Sequence, residues 1–393
     1  MKRILAFLII CSLILIFSLS NGVIANSNDL ELDAKSALLM DACSGRILYA
    51  MNIDEPFPMA SLTKIMTLVL ALEAVEQGVV ALDDLVSTSA YAASRGGTQV
   101  WLEVGEQLPL KEMLYAVAVG SANDAAVAVA EYLASSEAAF VQKMNQRAKE
   151  LGLTNTRYIN SNGLPISGTT SGEQYMTARD VAVLSRYAIT VPLFMDFVST
   201  YEYTMRAETT KKPQLWNFNK LLRRYAGVDG IKTGFTTEAG YCSSVTAKRD
   251  SLRLIAVVLG CSSEAKREAD LTKLLDYGFR KYTDYLLYAE DSVVASLDIR
   301  KGDPGVVDVV VLEDFFVAIE RGQESSITTE VVYPDNLRLP IVQGTSIGQI
   351  NAYLDNQFIG SAPIGPSTTI EQASLLDLVS RISNNMINVL LGI

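Results

Sequence analysis

The 393-residue sequence contains no histidine. That absence excludes a Ser-His-Asp triad, a Cys-His pair and any histidine-ligated zinc site. A proton taken from a nucleophile in this chain must therefore go to a lysine or a carboxylate. Cysteine is scarce: Cys11 lies in an apolar leader, and the other three, Cys43, Cys242 and Cys261, are too few and odd in number for a disulfide framework. Core packing must hold the fold. Basic residues are outnumbered, 33 Lys and Arg against 44 Asp and Glu, and the net charge of −11 makes nucleic acid a poor partner. Long low-complexity tracts are also missing, and with 49% apolar residues the chain can bury one or two sizeable cores.

The chain opens with Met1-Lys2-Arg3, an apolar run from Ile4 to Phe17, a polar stretch from Ser18 to Gly22, and a small residue at Ala25 with Val23 two positions before it. This layout reads as a signal peptide over 1–25, too short in its apolar part for a transmembrane helix, and implies export. Removing Lys2 and Arg3 leaves the mature chain more acidic still. A lipoprotein reading of Cys11 lacks support, because Ile9 and Ile10 precede it in mid-run.

Apolar runs around a turn at Asp41 to Gly45 predict two short strands between Ala37 and Ala50. Apolar spacing at Ile65, Leu68, Leu72 and Val75, with Gly78 beyond, predicts a helix from Ser61 to Gln77 with Ser61 at its N-terminus. Further helices are expected over Leu110 to Val119, Asp124 to Leu133 and Glu137 to Leu151, with Thr177 capping another through Tyr187. Strands return at Gly227 to Thr233, Tyr241 to Ala247 and Leu252 to Gly260, followed by a helix from Lys266 to Lys281. Strands at both ends with helices between predict an α/β fold, a mixed sheet covered by helices. Cys242 and Cys261 flank the Arg249-Asp250-Ser251 turn, so either a bridge or two buried thiols is open. After about Tyr285, short β-branched strands at Val293 to Leu297, Val306 to Leu312, Ile327 to Val332 and Gln349 to Leu354 read as a small all-β domain. The last segment is an amphipathic helix, either lying on a membrane surface or docked on protein. The expected boundaries are 26–284 for the α/β domain, 285–368 for the β domain and 369–393 for the helix.

Ser61-Leu62-Thr63-Lys64 places a hydroxyl and an amine one helical turn apart. Alone the pattern means little, since a helix cap with a solvated lysine has the same letters. A free lysine is neutral in only about one molecule in a few thousand at neutral pH, so a lysine base needs burial and a nearby cation. The apolar helix after Ser61 offers the first and Lys232 the second. Ser121-Ala122-Asn123 sits between two apolar helices, where a hydroxyl and an amide need hydrogen-bond partners. Lys232-Thr233-Gly234 closes a strand, and its glycine admits a substrate as an added strand.

In this order and with these groups, the sequence resembles the serine-type D-alanyl-D-alanine carboxypeptidases, the low-molecular-mass penicillin-binding proteins of peptidase family S11. The likeness extends through Met59 to Thr67, Thr177-Ala178-Arg179-Asp180, Val228 to Thr236 and Ala239-Gly240-Tyr241, across essentially the whole mature chain. It implies a β-lactamase/transpeptidase-like α/β/α sandwich that needs no metal or organic cofactor. It also implies that Ser61 attacks the carbonyl between two D-alanines of a peptidoglycan stem peptide, Lys64 takes the proton, Ser121 passes one to the leaving amine, and Asn123 positions the substrate. Lys232 and Thr233 would hold the anionic end, and the backbone N–H groups of Ser61 and Phe235 would form the oxyanion hole. Arg267 matches a position that assists carboxylate recognition, with a solvated helix-start arginine as the alternative. β-Lactams would acylate the same serine, and the C-terminal β domain and helix would hold the enzyme at the outer face of the cytoplasmic membrane. The sequence departs from some relatives at Ala122, where glycine or aspartate occurs, and at Phe235, where histidine occurs. Two other readings remain, a β-lactamase of the same fold and a non-catalytic wall-binding module.

Overall fold

A computed structural model describes residues 30–165, 174–206, 212–334, 336–377, 379 and 381. The expected signal peptide and most of the expected terminal helix lie outside these residues. The chain divides into two compact units after Arg280.

The first unit is built on a five-stranded sheet of β1 (Ser36–Asp41), β2 (Ile47–Met51), β3 (Val228–Thr236), β4 (Gly240–Arg249) and β5 (Leu252–Cys261), in the order β2-β1-β5-β4-β3. Every pairing in it is antiparallel, so the sheet is not the mixed one expected. Tight connections explain this: β1 to β2 and β3 to β4 to β5 are hairpins, and no strand–helix–strand crossover feeds a parallel neighbour. The helices α1 (Thr63–Glu76), α2 (Leu110–Ala118), α3 (Asn123–Ala134), α4 (Glu137–Glu150) and α5 (Ala178–Ala188) enter between β2 and β3, and α6 (Glu264–Lys281) follows β5.

Alternation along the strands explains why both faces of this sheet are apolar. Leu38 and Met40 of β1 and Ile255 and Val257 of β5 pack into the core with α1 to α5. Leu39 and Leu254 point the other way, to Gly278 of α6. Helix α3 runs through the middle of the core, with every residue from Asn123 to Ala130 buried. Its alanines and valines suit a helix enclosed on all sides. Thr177 caps α5, its side chain accepting from the Asp180 N–H.

The second unit carries a five-stranded antiparallel sheet and two two-stranded ones among its described residues. One of these pairs β6 (Tyr282–Tyr288) with β9 (Phe315–Glu320), and the other pairs Gly302–Asp303 with Glu371–Gln372. The larger one runs β7-β8-β12-β11-β10, from β7 (Val293–Asp298), β8 (Val306–Val311), β10 (Ile327–Val332), β11 (Gly348–Leu354) and β12 (Gln357–Pro366). Strand β12 escapes sequence reading because Gly360, Pro363, Gly365 and Pro366 interrupt it. Pairing to β11 and β8 keeps it extended regardless. Gly360 lies where a Cβ would come within 3.2 Å of the Phe315 ring, so its place in the strand serves close packing. The helix expected from 369 begins only at 375, because Ile370 bridges Ile341 and Glu371–Gln372 pair as a strand. Residues 375–377, 379 and 381 are helical, and Arg381 bonds the Asp303 carboxylate at 2.8 Å and the Gly302 carbonyl at 2.6 Å.

Gly278 sets how closely α6 approaches the sheet: a Cβ there would lie 2.5 Å from Leu254 Cδ1 and 2.8 Å from Leu39 Cδ2. Those are tips of flexible side chains, so Gly278→Ala should stay near the parent's stability, its gain of about 1 kcal/mol in helix propensity offsetting the shift. Gly278→Leu should cost about 1–3 kcal/mol by overpacking. Thermal denaturation checks both, and equal midpoints for Leu and parent would contradict this packing.

Candidate active site

The chain reaches the site through a 3-10 turn, Ala60–Leu62, that leads into α1. Ser61 therefore stands two residues before the helix, where the sequence pattern put it at the N-terminus itself. Lys64 follows in the first turn of α1 and is fully buried. Its Nζ lies 3.0 Å from Ser61 Oγ, 2.6 Å from Asn123 Oδ1 and 2.6 Å from the Asn162 carbonyl.

Each neighbour is held in turn. Asn123 begins α3, and its Nδ2 donates to the Gly96 carbonyl at 2.8 Å, which fixes the amide with its oxygen toward Lys64. Asp124, buried beside it, accepts from the Val100 and Leu102 N–H groups and pins the preceding loop to α3. Asn162 belongs to a loop folded by the Asn160 side chain, whose Oδ1 accepts from the Gly163 N–H at 2.7 Å and whose Nδ2 donates to the Leu164 carbonyl at 2.7 Å. Gly163 has φ +90°, and a Cβ there would sit 1.8 Å from the Ala60 carbonyl oxygen. Only glycine lets this loop press against the turn that carries Ser61.

Opposite this turn runs β3. Lys232, Thr233 and Gly234 lie within the strand, which continues to Thr236, so the motif does not close a strand as the sequence suggested. Pairing with β4 through Phe235↔Tyr241 and Thr236↔Gly240 extends it. A Cβ on Gly234 would come 3.1 Å from the Ser61 N atom, which brings the strand and the Ser61 backbone side by side. Phe235 is half exposed and its ring packs on Tyr241 at 4.3 Å between centroids.

Ser121 is 4% exposed and has φ +53°, a conformation disfavoured for serine. Held between α2 and α3, it is not the cap of α3, where Ala122 takes that place. Arg267 is not a solvated arginine either: it is 4% exposed in the first turn of α6, with Nη2 3.5 Å from the Phe218 carbonyl and 3.4 Å from Glu264. A cation in the first turn of a helix runs against the helix dipole.

The electrostatics follow from burial. Burial, and then the Lys232 cation, hold the Lys64 pKa well below the ordinary lysine value, against an opposing pull from Asp124. Burial, and then the Arg267 cation, bring Lys232 down to about 7. Burial also lowers Arg267, against the pull of Glu264.

Sequence reading missed Asn162, Gly163 and Asp124. The cluster Asn160-Ser161-Asn162-Gly163 has the composition of a loop, but no spacing rule ties a backbone carbonyl to a lysine far earlier in the chain. Cys242 and Cys261 are buried free thiols. Their sulfurs face different partners, the Ala239 carbonyl and Asp270. No group of residues suited to a metal ion occurs among the described residues.

Lys232 makes a checkable contribution to stability. Its pKa is about 7 when folded and near 10.4 when unfolded, so between these values the unfolded chain binds more protons and stability rises with pH. The cost of burying the protonated amine is full below about pH 7 and gone above about pH 10. Urea denaturation should therefore show Lys232→Met more stable relative to the parent at pH 6 than at pH 10. Parallel stability profiles would mean that Lys232 titrates as an ordinary lysine.

Comparison with known proteins shows the family. The family model for D-alanyl-D-alanine carboxypeptidases matches residues 23–263, and that for the penicillin-binding protein 5 C-terminal domain matches residues 282–372. The D-alanyl-D-alanine carboxypeptidase DacF of Bacillus subtilis is 37% identical over 385 residues, covering 97% of this chain and 98% of its own. Among solved structures, penicillin-binding protein 5 from Haemophilus influenzae is similar at 30% identity and a TM-score of 0.72, covering 87% of this chain and 99% of its own. Penicillin-binding protein D2 from Listeria monocytogenes, solved in its ampicillin-bound form, is similar at 33% identity and a TM-score of 0.57, over 64% of this chain and 99% of its own. With a catalytic-domain match over more than half its length and relatives alike from end to end, the chain belongs to the peptidase S11 family of D-alanyl-D-alanine carboxypeptidases, which are serine peptidases.

Proposed function

We propose that this protein removes the terminal D-alanine from peptidoglycan stem pentapeptides through an acyl-enzyme on Ser61, and that β-lactams acylate the same residue. The observation that carries the reading is the set of neighbours around the Lys64 amine. A neutral amine has two N–H donors and one lone pair. Asn123 Oδ1 and the Asn162 carbonyl can only accept, so they take both N–H groups. The lone pair is left for Ser61 Oγ at 3.0 Å. The depressed pKa of Lys64, caused first by burial and then by Lys232, favours that neutral state.

In this reading Ser61 Oγ attacks the carbonyl carbon between the two D-alanines while Lys64 takes its proton. The backbone N–H groups of Ser61 and Phe235 receive the developing oxyanion. Ser121 relays a proton to the departing D-alanine amine, and Asn123 orients the peptide. Lys232, Thr233 and Arg267 hold the terminal carboxylate, a task for which a protonated Lys232 is needed. Water then hydrolyses the ester. Residues 26–284 are read as the acyl-transfer domain and 285–368 as the β domain, and the segment 369–393, a strand at Glu371–Gln372 and helical at 375–377, 379 and 381 among its described residues, attaches the exported enzyme to the outer face of the cytoplasmic membrane. Among the described residues no helix is long and apolar enough to cross a membrane. Leu375, Leu376 and Val379 are exposed where that segment begins, which supports surface attachment.

Ser61→Ala should lower D-alanine release from a peptide ending in D-Ala-D-Ala by about a thousandfold or more and abolish covalent penicillin labelling. Fast penicillin turnover without D-alanine release would favour a β-lactamase, and retained ligand binding without either reaction a wall-binding module. A second expectation concerns pH. The kcat/KM profile should rise as Lys64 loses its proton and fall above about 7 as Lys232 loses its own. Lys232→Arg, permanently charged, should remove the alkaline fall. A fall that persists in that variant would assign it to another group.

A further inference from the structure

Glu137 opens α4 and is 8% exposed. Its Oε1 accepts from the Ser161 N–H at 2.9 Å and from the Ser161 hydroxyl at 2.6 Å, and its Oε2 accepts from the Tyr91 hydroxyl at 2.8 Å. None of these partners is a cation. A buried carboxylate held by neutral donors is costly, even with the positive end of a helix beside it. The acyl-transfer steps above make no direct use of it.

What Glu137 does hold is the loop that touches Lys64. Ser161 is clamped from two sides, by Glu137 through its N–H and hydroxyl and by the Thr67 hydroxyl of α1, which donates to the Ser161 carbonyl at 2.6 Å. The next carbonyl in the chain, that of Asn162, accepts the Lys64 N–H at 2.6 Å. Asn160 folds the loop on itself, whereas Glu137 and Thr67 fix it to the helices. One peptide unit therefore separates the residue gripped by Glu137 from the acceptor that orients the amine.

We infer that Glu137 is a positioning residue for acyl transfer, fixing the Asn162 carbonyl and so aiming the Lys64 lone pair at Ser61. The inference rests on the reading of Lys64 as the base. Releasing the loop leaves one Lys64 N–H without a fixed acceptor and admits water to the amine. Lys64 is also faced by Lys232 from β3 and Asp124 from α3, and Glu137 by Tyr91 from the short helix Ala90–Ala93. Those charges stay in place when Glu137 is altered. Because burial is the largest cause of the low Lys64 pKa, wetting the amine moves that pKa up.

The test is stopped-flow acylation by a chromogenic cephalosporin, separating the rate constant at saturation from the dissociation constant of the preceding complex, across pH. Glu137→Ala should lower the saturating rate at least about tenfold, leave the dissociation constant within about threefold, and shift the acid limb to higher pH. Glu137→Gln should stay within about threefold of the parent, because its amide oxygen still accepts from Ser161 and the Tyr91 hydroxyl can accept from its nitrogen. A purely structural role would lower the fraction of protein that reacts while leaving the rate constant and limb of that fraction unchanged, and that result would overturn the inference. So would a Glu137→Gln variant as slow as Glu137→Ala. If Glu137→Ala does not fold, Ser161→Ala, which removes only the hydroxyl contact, decides: about a threefold loss with the same limb shift supports the role, and parent-like kinetics sinks it. If the parent itself is not acylated at Ser61, the failure lies with the reading of the base and not with Glu137.

Discussion

Burying one lysine amine is the constraint on which the rest of the domain depends. An ammonium enclosed at Lys64 would be strongly disfavoured, yet the side chain sits in the first turn of a helix that is buried along most of its length. The fold meets this with oxygen acceptors from two separate places, the Asn123 side chain at the start of α3 and the Asn162 carbonyl in the loop beyond α4. Both must arrive within hydrogen-bond distance, which explains why α3 threads the centre of the core and why Gly163 packs against the Ala60 carbonyl. Secondary structure around the site is arranged to deliver acceptors, with the hydrophobic core as the frame that holds them.

A second cation sharpens the arrangement. Lys232 depresses Lys64, and Arg267 depresses Lys232, so three buried or nearly buried basic groups form a series in which each disfavours its neighbour's charge. Such a series raises the energy of the empty site. An anionic ligand would relieve it, in keeping with the carboxylate-holding role proposed for Lys232 and Arg267.

Much of this was legible in the sequence, and the reasons differ by element. The absence of histidine confined the choice of base, and the periodicity of Ile65, Leu68, Leu72 and Val75 placed the helix beside Ser61 within a residue or two. The capping by Thr177 and the three strands β3 to β5 followed from local chemistry. What failed was non-local. The sheet's antiparallel pairing and the extension of β3 past Gly234 depend on hydrogen bonds to β4 and β5. Strand β12 holds two prolines and two glycines that local rules read as breaks. The role of Asn162 rests on a main-chain oxygen, and main-chain oxygens leave no mark in a list of side chains.

The pairing of β1 with β5 has a temporal consequence. Ser36 lies opposite Leu259 and Asp41 opposite Leu254, so the middle of the sheet joins the first strand of the domain to its last. During synthesis β1 emerges early and has only β2 as a neighbour, since its other partner is made after all the helices of the core. A two-stranded hairpin is marginal by itself, and contacts between distant parts of a chain form slowly. The domain thus cannot close its sheet until its last strand has been made, and the order of synthesis leaves β1 waiting for its partner longer than any other strand of the sheet.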